Sequence, residues 1–179
     1  MSVSAVRRRI YSMVLQERCD QTIFELLLPN LSPIEHEDAL WDFKQALTLD
    51  PTIHKNDPDY AGNCCELVKD IAAFHNTFGG YIIIGVDDKT KSISDYTSNL
   101  DIDLVNARIR ADLNASVDFT YRRISFHNRH LGLIFIPRRR DGIPPIQFRR
   151  EAKPKQSGRK SYKNGDIYYR DDAASAPAI

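Results

Sequence analysis

The sequence predicts an α+β fold in which helices pack on a mixed, mainly antiparallel sheet. Three observations predict it. The apolar run Tyr81-Ile82-Ile83-Ile84-Gly85-Val86 follows a helical pattern directly through Gly79-Gly80, as expected of a strand covered on both faces. Two strand-like runs, Val117 to Phe126 and His130 to Ile136, flank the polar turn His127-Asn128-Arg129 and read as a hairpin. The order of helical and strand patterns along the chain then implies a mixed sheet.

Taken in order, residues 3 to 28 predict one or two helices, with Val6, Ile10, Met13, Val14 and Leu15 recurring at helical spacing before the apolar stretch Ile23 to Leu28. Pro29 and Pro33 interrupt that pattern. Residues 39 to 44 read as a short strand with Trp41 and Phe43 on one face and Leu40, Asp42 and Lys44 on the other, so Asp42 and Lys44 are expected to be neighbours. Asp57-Pro58 has the form of a cap and first-turn proline for a helix whose Leu67, Ile71, Phe74 and Phe78 face the core. Ile102, Val105, Ile109 and Leu113 mark another helix, capped by Asp101 and ending near Asn114. Ile146 to Arg150 and Asp166 to Arg170 predict two short strands. Between them, Glu151 to Gly165 reads as a mobile basic loop with Tyr162 as its core residue, and Ala173 to Ile179 as a frayed end. Residues 1–34 are read as a helical extension and 35–179 as the main domain.

A chain of 179 residues, 42% hydrophobic, is long enough for one domain with a core of its own. Cys19, Cys64 and Cys65 make an odd count with an adjacent pair unsuited to bridging itself, which argues against a disulfide framework and for a reducing, cytoplasmic setting. No run of the roughly 18–20 apolar residues needed to span a membrane is present. Arg7, Arg8 and Arg9 give the start a slight likeness to an organelle-targeting segment, but an amphipathic helix is the plainer reading. The net charge of +1 conceals an asymmetry, because residues 122 to 170 carry fourteen Lys or Arg against Asp141, Glu151 and Asp166. A basic region on a nearly neutral chain points to a polyanion partner, RNA or DNA, whose phosphates supply sequence-independent affinity. A solvated basic face is the alternative on charge alone.

The acids cluster elsewhere. Glu35, Glu37, Asp38 and Asp42 precede or sit on the first strand, and Asp87 and Asp88 end the central one. Carboxylates that converge repel one another unless a proton or cation joins them, and hard oxygen donors suit Mg2+ or Mn2+. Spacing alone leaves convergence open, and Asp87 reads more simply as the residue that caps the turn.

The segments Glu37-x4-Asp42-Phe43-Lys44, Leu67-Val68-Lys69-Asp70-Ile71-Ala72-Ala73-Phe74-His75-Asn76-Thr77-Phe78-Gly79-Gly80-Tyr81 and Gly85-Val86-Asp87-Asp88 together resemble the Schlafen, AlbA-like family. That family shows an acid, four residues, then Glu-Phe-Lys, a helix reading Ala-Phe-Ala-Asn with Gly-Gly, and a strand ending Gly-Val-Asp. Tyr168-Tyr169-Arg170 is similar to its late Tyr-x-Arg element. The resemblance implies one of two roles. Many bacterial members are regarded as DNA-binding modules attached to regulatory domains, whereas animal Schlafen proteins include endoribonucleases that cut transfer RNA with three carboxylates. Carried over by position, those acids are Glu37, Asp42 and Asp88, with Lys44 able to stabilise charge or simply to pair with Asp42. Asp42 stands where the family has glutamate, one methylene longer. His75, where the family has alanine, is read as packed or solvated rather than catalytic.

The resemblance thus implies a metal-dependent endoribonuclease acting on structured RNA such as tRNA, in a bacterial stress or antiphage setting, with Mg2+ or Mn2+ at Glu37, Asp42 and Asp88. The other reading is a noncatalytic DNA- or RNA-binding module of a regulatory or defence protein. In both, Arg138, Arg139, Arg140, Arg149, Arg150, Lys153, Lys155, Arg159, Lys160 and Lys163 form the phosphate track, and Tyr168 or Tyr169, but not both, is free to stack on a base. A single lobe is expected to dimerise, and further domains or partner proteins fit a regulatory module. No Walker loop, strand-first dinucleotide glycine pattern or zinc spacing is present.

Overall fold

The structure, a computed structural model, describes residues 1–34, 37–158, 160–171 and 174–178. Glu35 and Arg159, both named above, lie outside the described residues. The central strand β2 (Gly80–Ile84) is buried from end to end. It pairs in parallel with β1 (Trp41–Lys44), Trp41 opposite Tyr81 and Lys44 opposite Ile84. On its other side it runs antiparallel to β6 (Arg129–Ile136), which pairs with β5 (Thr120–Phe126), giving the order β1-β2-β6-β5.

The period of two in these strands divides the interior into two cores. Trp41, Phe43, Tyr81, Ile83, Leu133 and Phe135 point to the helices α1 (Val3–Leu15) and α2 (Thr22–Leu27). Ile82, Ile84, Ile134 and Ile136 point the opposite way, to α3 (Tyr60–Asn76) and α4 (Ile102–Leu113). Helices on both faces explain why β2 reads as a continuous apolar run rather than an alternating one. None of the helices among the described residues is long and apolar enough to cross a membrane.

The link from α3 into β2 needs its two glycines. Gly79 and Gly80 adopt φ values of 68° and 147°, and a Cβ on Gly80 would lie 2.4 Å from the Leu40 carbonyl oxygen, so only glycine admits this approach. The β5–β6 hairpin turns on His127 and Asn128, both at positive φ (48° and 63°), the geometry of a two-residue turn matched to strand twist. Asp101 caps α4 by accepting from the Leu104 amide at 3.0 Å, and Asn114 ends it in the left-handed conformation.

Several elements differ from expectation. The helix α3 begins at Tyr60, because Asp57 uses its carboxylate on the Asp59 amide, 2.8 Å, to close a preceding turn. Phe78 lies beyond the helix, 49% exposed, edge-on to Tyr11 rather than in the core, and Leu15 is also exposed. Val86 is separated from β2 by Gly85 and belongs to β3 (Val86–Asp87), which pairs with β4 (Ser92–Ile93). The strand predicted from Val117 starts at Thr120.

Residues Ile146 to Arg150 form no strand. Their backbone finds scattered partners instead: the Ile146 amide donates to Asn76 Oδ1 at 2.7 Å, Arg149 to the Asp112 carbonyl, and Phe148 exchanges bonds with residues 165 and 166. The basic segment that follows is anchored, since Tyr162 stacks on Phe148 with ring centroids 3.8 Å apart and its amide-plane neighbour bond runs from Ala152 N–H to the Tyr162 carbonyl. The expected frayed end contains β8 (Ala174–Pro177), paired with β7 (Tyr168–Asp171) beside α3.

Candidate functional site

Asp42 sits within β1 opposite Ile82, on the face turned to α3, and is 7% exposed. Lys44, two residues on, shares that face as the strand period requires. Its Nζ lies 3.2 Å from Asp42 Oδ2 and 2.9 Å from Asp70 Oδ2 of α3. Burial alone would lower the Lys44 pKa, but Asp70 and Asp42 outweigh it and hold the ammonium charged, above its ordinary range. Asp70 is thus a member of the site that sequence reasoning missed, although it lies inside the helix motif quoted above.

Glu37 brings a second carboxyl to Asp42. Its Oε1 accepts the Phe43 amide at 3.2 Å, and its side chain is hydrogen-bonded to Asp42. Burial, then the bond and charge of Asp42, push the Glu37 pKa up to about 8, with Asp88 adding to the rise and the Phe43 N–H opposing it. No Lys or Arg among the described residues forms an ion pair with Glu37. Asp88 is close enough to act on Glu37 electrostatically, yet its Oδ1 lies 2.6 Å from Lys91 Nζ. Asp87 closes the turn, accepting the amides of Lys89 and Thr90 at 2.9 and 3.3 Å.

The far strand pair supports this site from below. Arg170 of β7 is only 6% exposed, with its guanidinium carbon 4.3 Å from the Phe74 ring centroid. Nη2 donates to the Asp38 carbonyl at 2.9 Å, and the Arg170 amide donates to Thr77 Oγ1 at 2.8 Å. Ser175 of β8 donates to Asp70 Oδ1 at 3.0 Å. Asp38 itself binds Arg7 of α1 at 2.6 Å. The turn that carries Glu37 is therefore held by residues from both ends of the chain, at sequence separations that no local pattern reports.

The donor set is all oxygen, which suits Mg2+ or Mn2+. The hydrogen-bonded Glu37–Asp42 pair fits such an ion, because a cation can replace the proton the two carboxyls share. Among the described residues no group of three His, Cys, Asp or Glu side chains is arranged to hold a metal. Asp88 Oδ1 is held by Lys91, which leaves Oδ2 as the oxygen it can offer to the pair.

The basic residues do not form one track around these acids. Arg138, Arg139 and Arg140 follow β6 at the Gly80 end of β2, whereas Lys44 and Asp88 lie at the Ile84 end, about 13 Å of extended chain away. Arg138 pairs with Asp141 at 3.1 Å, and the Arg139 amide donates to the His75 carbonyl at 2.8 Å. Arg149, Arg150, Lys153 and Lys163 are exposed, and Lys160 pairs with Glu151. Among the described residues of the track, Lys155 reaches the acid side, packing over Gly62 and lining a groove of about 430 Å³ with Lys44, Glu66 and Asp70. Tyr168 is buried and Tyr169 half-buried, so one ring is in the core.

Residues 37–178 match the model of the family described as Schlafen, AlbA_2. The chain belongs to that family. No curated protein matches it. Solved structures similar to this Schlafen AlbA_2 chain include a protein from Corynebacterium diphtheriae, 19% identical with a TM-score of 0.46, the match covering 98% of this chain and 30% of that one. Another is the N-terminal domain of a protein from Nitrosomonas europaea named as related to the DNA helicase RecG, 17% identical with a TM-score of 0.40, covering 63% of this chain and 71% of that one. The Schlafen AlbA_2 chain therefore spans less than a third of the length of the Corynebacterium protein.

Proposed function

We propose that this domain binds structured RNA, tRNA-like in form, and hydrolyses its phosphodiester backbone with Mg2+ or Mn2+ held by Glu37, Asp42 and Asp88. One observation carries this reading: two carboxyls, Glu37 and Asp42, share a hydrogen bond in a part-buried site while a third, Asp88, raises the cost of ionising Glu37. Such a pair is stable only with a proton or a cation between its members. A bound divalent ion there would polarise a phosphoryl oxygen and lower the pKa of its water.

The chain's own residues supply orientation. Asp70 holds Lys44, and Lys44 holds Asp42, so the carboxylate is fixed before substrate arrives. The groove beside Lys44 and Lys155 gives an RNA phosphate a path past the acids. Asp88 would contribute its Oδ2, with Oδ1 held by Lys91.

Those same lysine pairs favour the second reading, a noncatalytic nucleic-acid-binding module, since Lys44 and Lys91 already neutralise Asp42 and Asp88. Incubating the purified chain with labelled tRNA, with Mn2+, Mg2+ or chelator, separates the two. The nuclease reading expects chelator-sensitive cuts that the Asp88→Ala protein fails to make. Equal binding by both proteins with uncut RNA would leave the binding module instead.

A further inference from the structure

A cleft of about 730 Å³ lies at the Gly80 end of the sheet, away from Lys44 and Asp88, between the end of α1 and the chain leaving β6. Its wall combines two kinds of surface. Arg138 and Arg140 supply guanidinium groups, and the exposed side chains Leu15 and Ile143 supply apolar ones. The Arg140 guanidinium has no hydrogen bond or ion pair among the described residues, and Arg138 holds only Asp141, itself 91% exposed. A surface pair of that kind contributes little and yields readily to a better anion.

His75 adds a directional group. Its Nδ1 is 2.7 Å from the Pro137 carbonyl oxygen and so carries the proton, donating it there. Burial, with Arg139 nearby, lowers its pKa against the opposing Pro137 bond, which favours the neutral ring; His75 lines the cleft, and Nε2 of the neutral ring is an acceptor. Guanidinium donors, an apolar floor and one ring acceptor match the parts of a nucleotide: phosphate, base face and base N–H. Glu17 and Asp118, also on the wall, would repel a second phosphate but can accept from ribose hydroxyls.

We propose that this cleft binds a nucleoside monophosphate unit, its phosphate between Arg138 and Arg140, its base over Leu15 and Ile143 with an N–H on His75 Nε2. The unit can be a free nucleotide or the phosphorylated end of a nucleic acid. Only the second source rests on the RNA-binding reading above.

The test is calorimetric titration of the whole chain with 5′-AMP and with adenosine, in chelator so that no metal at the carboxylates contributes. AMP should bind at least about tenfold more tightly than adenosine, and Arg140→Ala, an exposed substitution, should remove that advantage, as expected for one charge-assisted hydrogen bond. Equal affinity for AMP and adenosine, no binding of AMP, or full AMP affinity in Arg140→Ala overturns the proposal. A 5′-phosphorylated oligoribonucleotide that displaces AMP when its unphosphorylated twin does not identifies a nucleic-acid end as the source. AMP binding without such displacement identifies the free nucleotide. RNA cleavage plays no part in the readout, so failure of the nuclease reading and failure of this one are separable.

Discussion

Around β1 the charged groups are packed between secondary-structure elements, each fixed by a partner from another element: Lys44 by Asp70, Asp38 by Arg7, the Asp38 carbonyl by Arg170. Arg138, Arg139 and Arg140 stand on the chain leaving β6, and their side-chain contacts are local or solvent-facing. The difference teaches where rigidity is spent. A carboxylate site that must hold two acids in contact requires a frame, because repulsion would otherwise spread them. An arginine surface that meets a polyanion requires only positive charge and reach.

Removing part of the frame should give the largest effect. Arg170→Ala takes away the donor to the Asp38 carbonyl and the packing over Phe74, and should cost about 2–4 kcal/mol in urea unfolding, since buried acceptors lose their partner and a cavity forms. Arg140→Ala, on the chain leaving β6, should stay within about 0.5 kcal/mol. If the two substitutions cost the same, the contrast between the two regions fails.

Glu37 offers a sharper comparison because its proton is tied to folding. Its pKa rises from an ordinary 4.5 to about 8 in the folded chain, so the folded state binds a proton that the unfolded state has released. The contribution to stability is full below about pH 4.5 and is lost as pH rises through 8. Screening of a half-buried carboxyl limits the loss to about 1–2 kcal/mol. Glu37→Gln should flatten that decline, measured as unfolding free energy from pH 5 to 8.5, and Mn2+ added to the native chain should do the same. A native profile that stays level over this range without metal would remove the strained-pair account.

Much of this framework was legible in local pattern. The Ile run, the two-glycine entry into β2 and the pairing of Asp42 with Lys44 follow from period and sterics, which act within a few residues. What escaped was held by distant contacts. Asn76 accepts from the Ile146 amide and donates to the Ile146 and Tyr168 carbonyls, so one buried side chain satisfies at Ile146 the backbone groups that a strand ladder was expected to pair. Asp70 looked like one polar position on a helix until β1 was laid beside it. Arg170 reads as one more cation in a basic half, although it is buried and holds the turn that carries Glu37. The sequence placed Arg138–Arg140 and the carboxylates in one function, but only the antiparallel register of β2 and β6 puts them at opposite ends.

The smallest effect tests the exposed surface itself. Arg149 and Arg150 lie outside the packed frame, with side chains in solvent, so replacing both by Ala should leave unfolding free energy within about 0.5 kcal/mol. Their loss should appear in the salt dependence of RNA binding. Each phosphate contact removed lowers the slope of log affinity against log salt by about 0.7–0.9, so the double variant should bind with a slope shallower by about 1.5 if both arginines touch phosphate. An unchanged slope with unchanged affinity would take these two residues out of the contact surface. A reduced affinity at constant slope would mean instead that they shape the surface without meeting a phosphate, because counterion release counts only charges that neutralise the backbone.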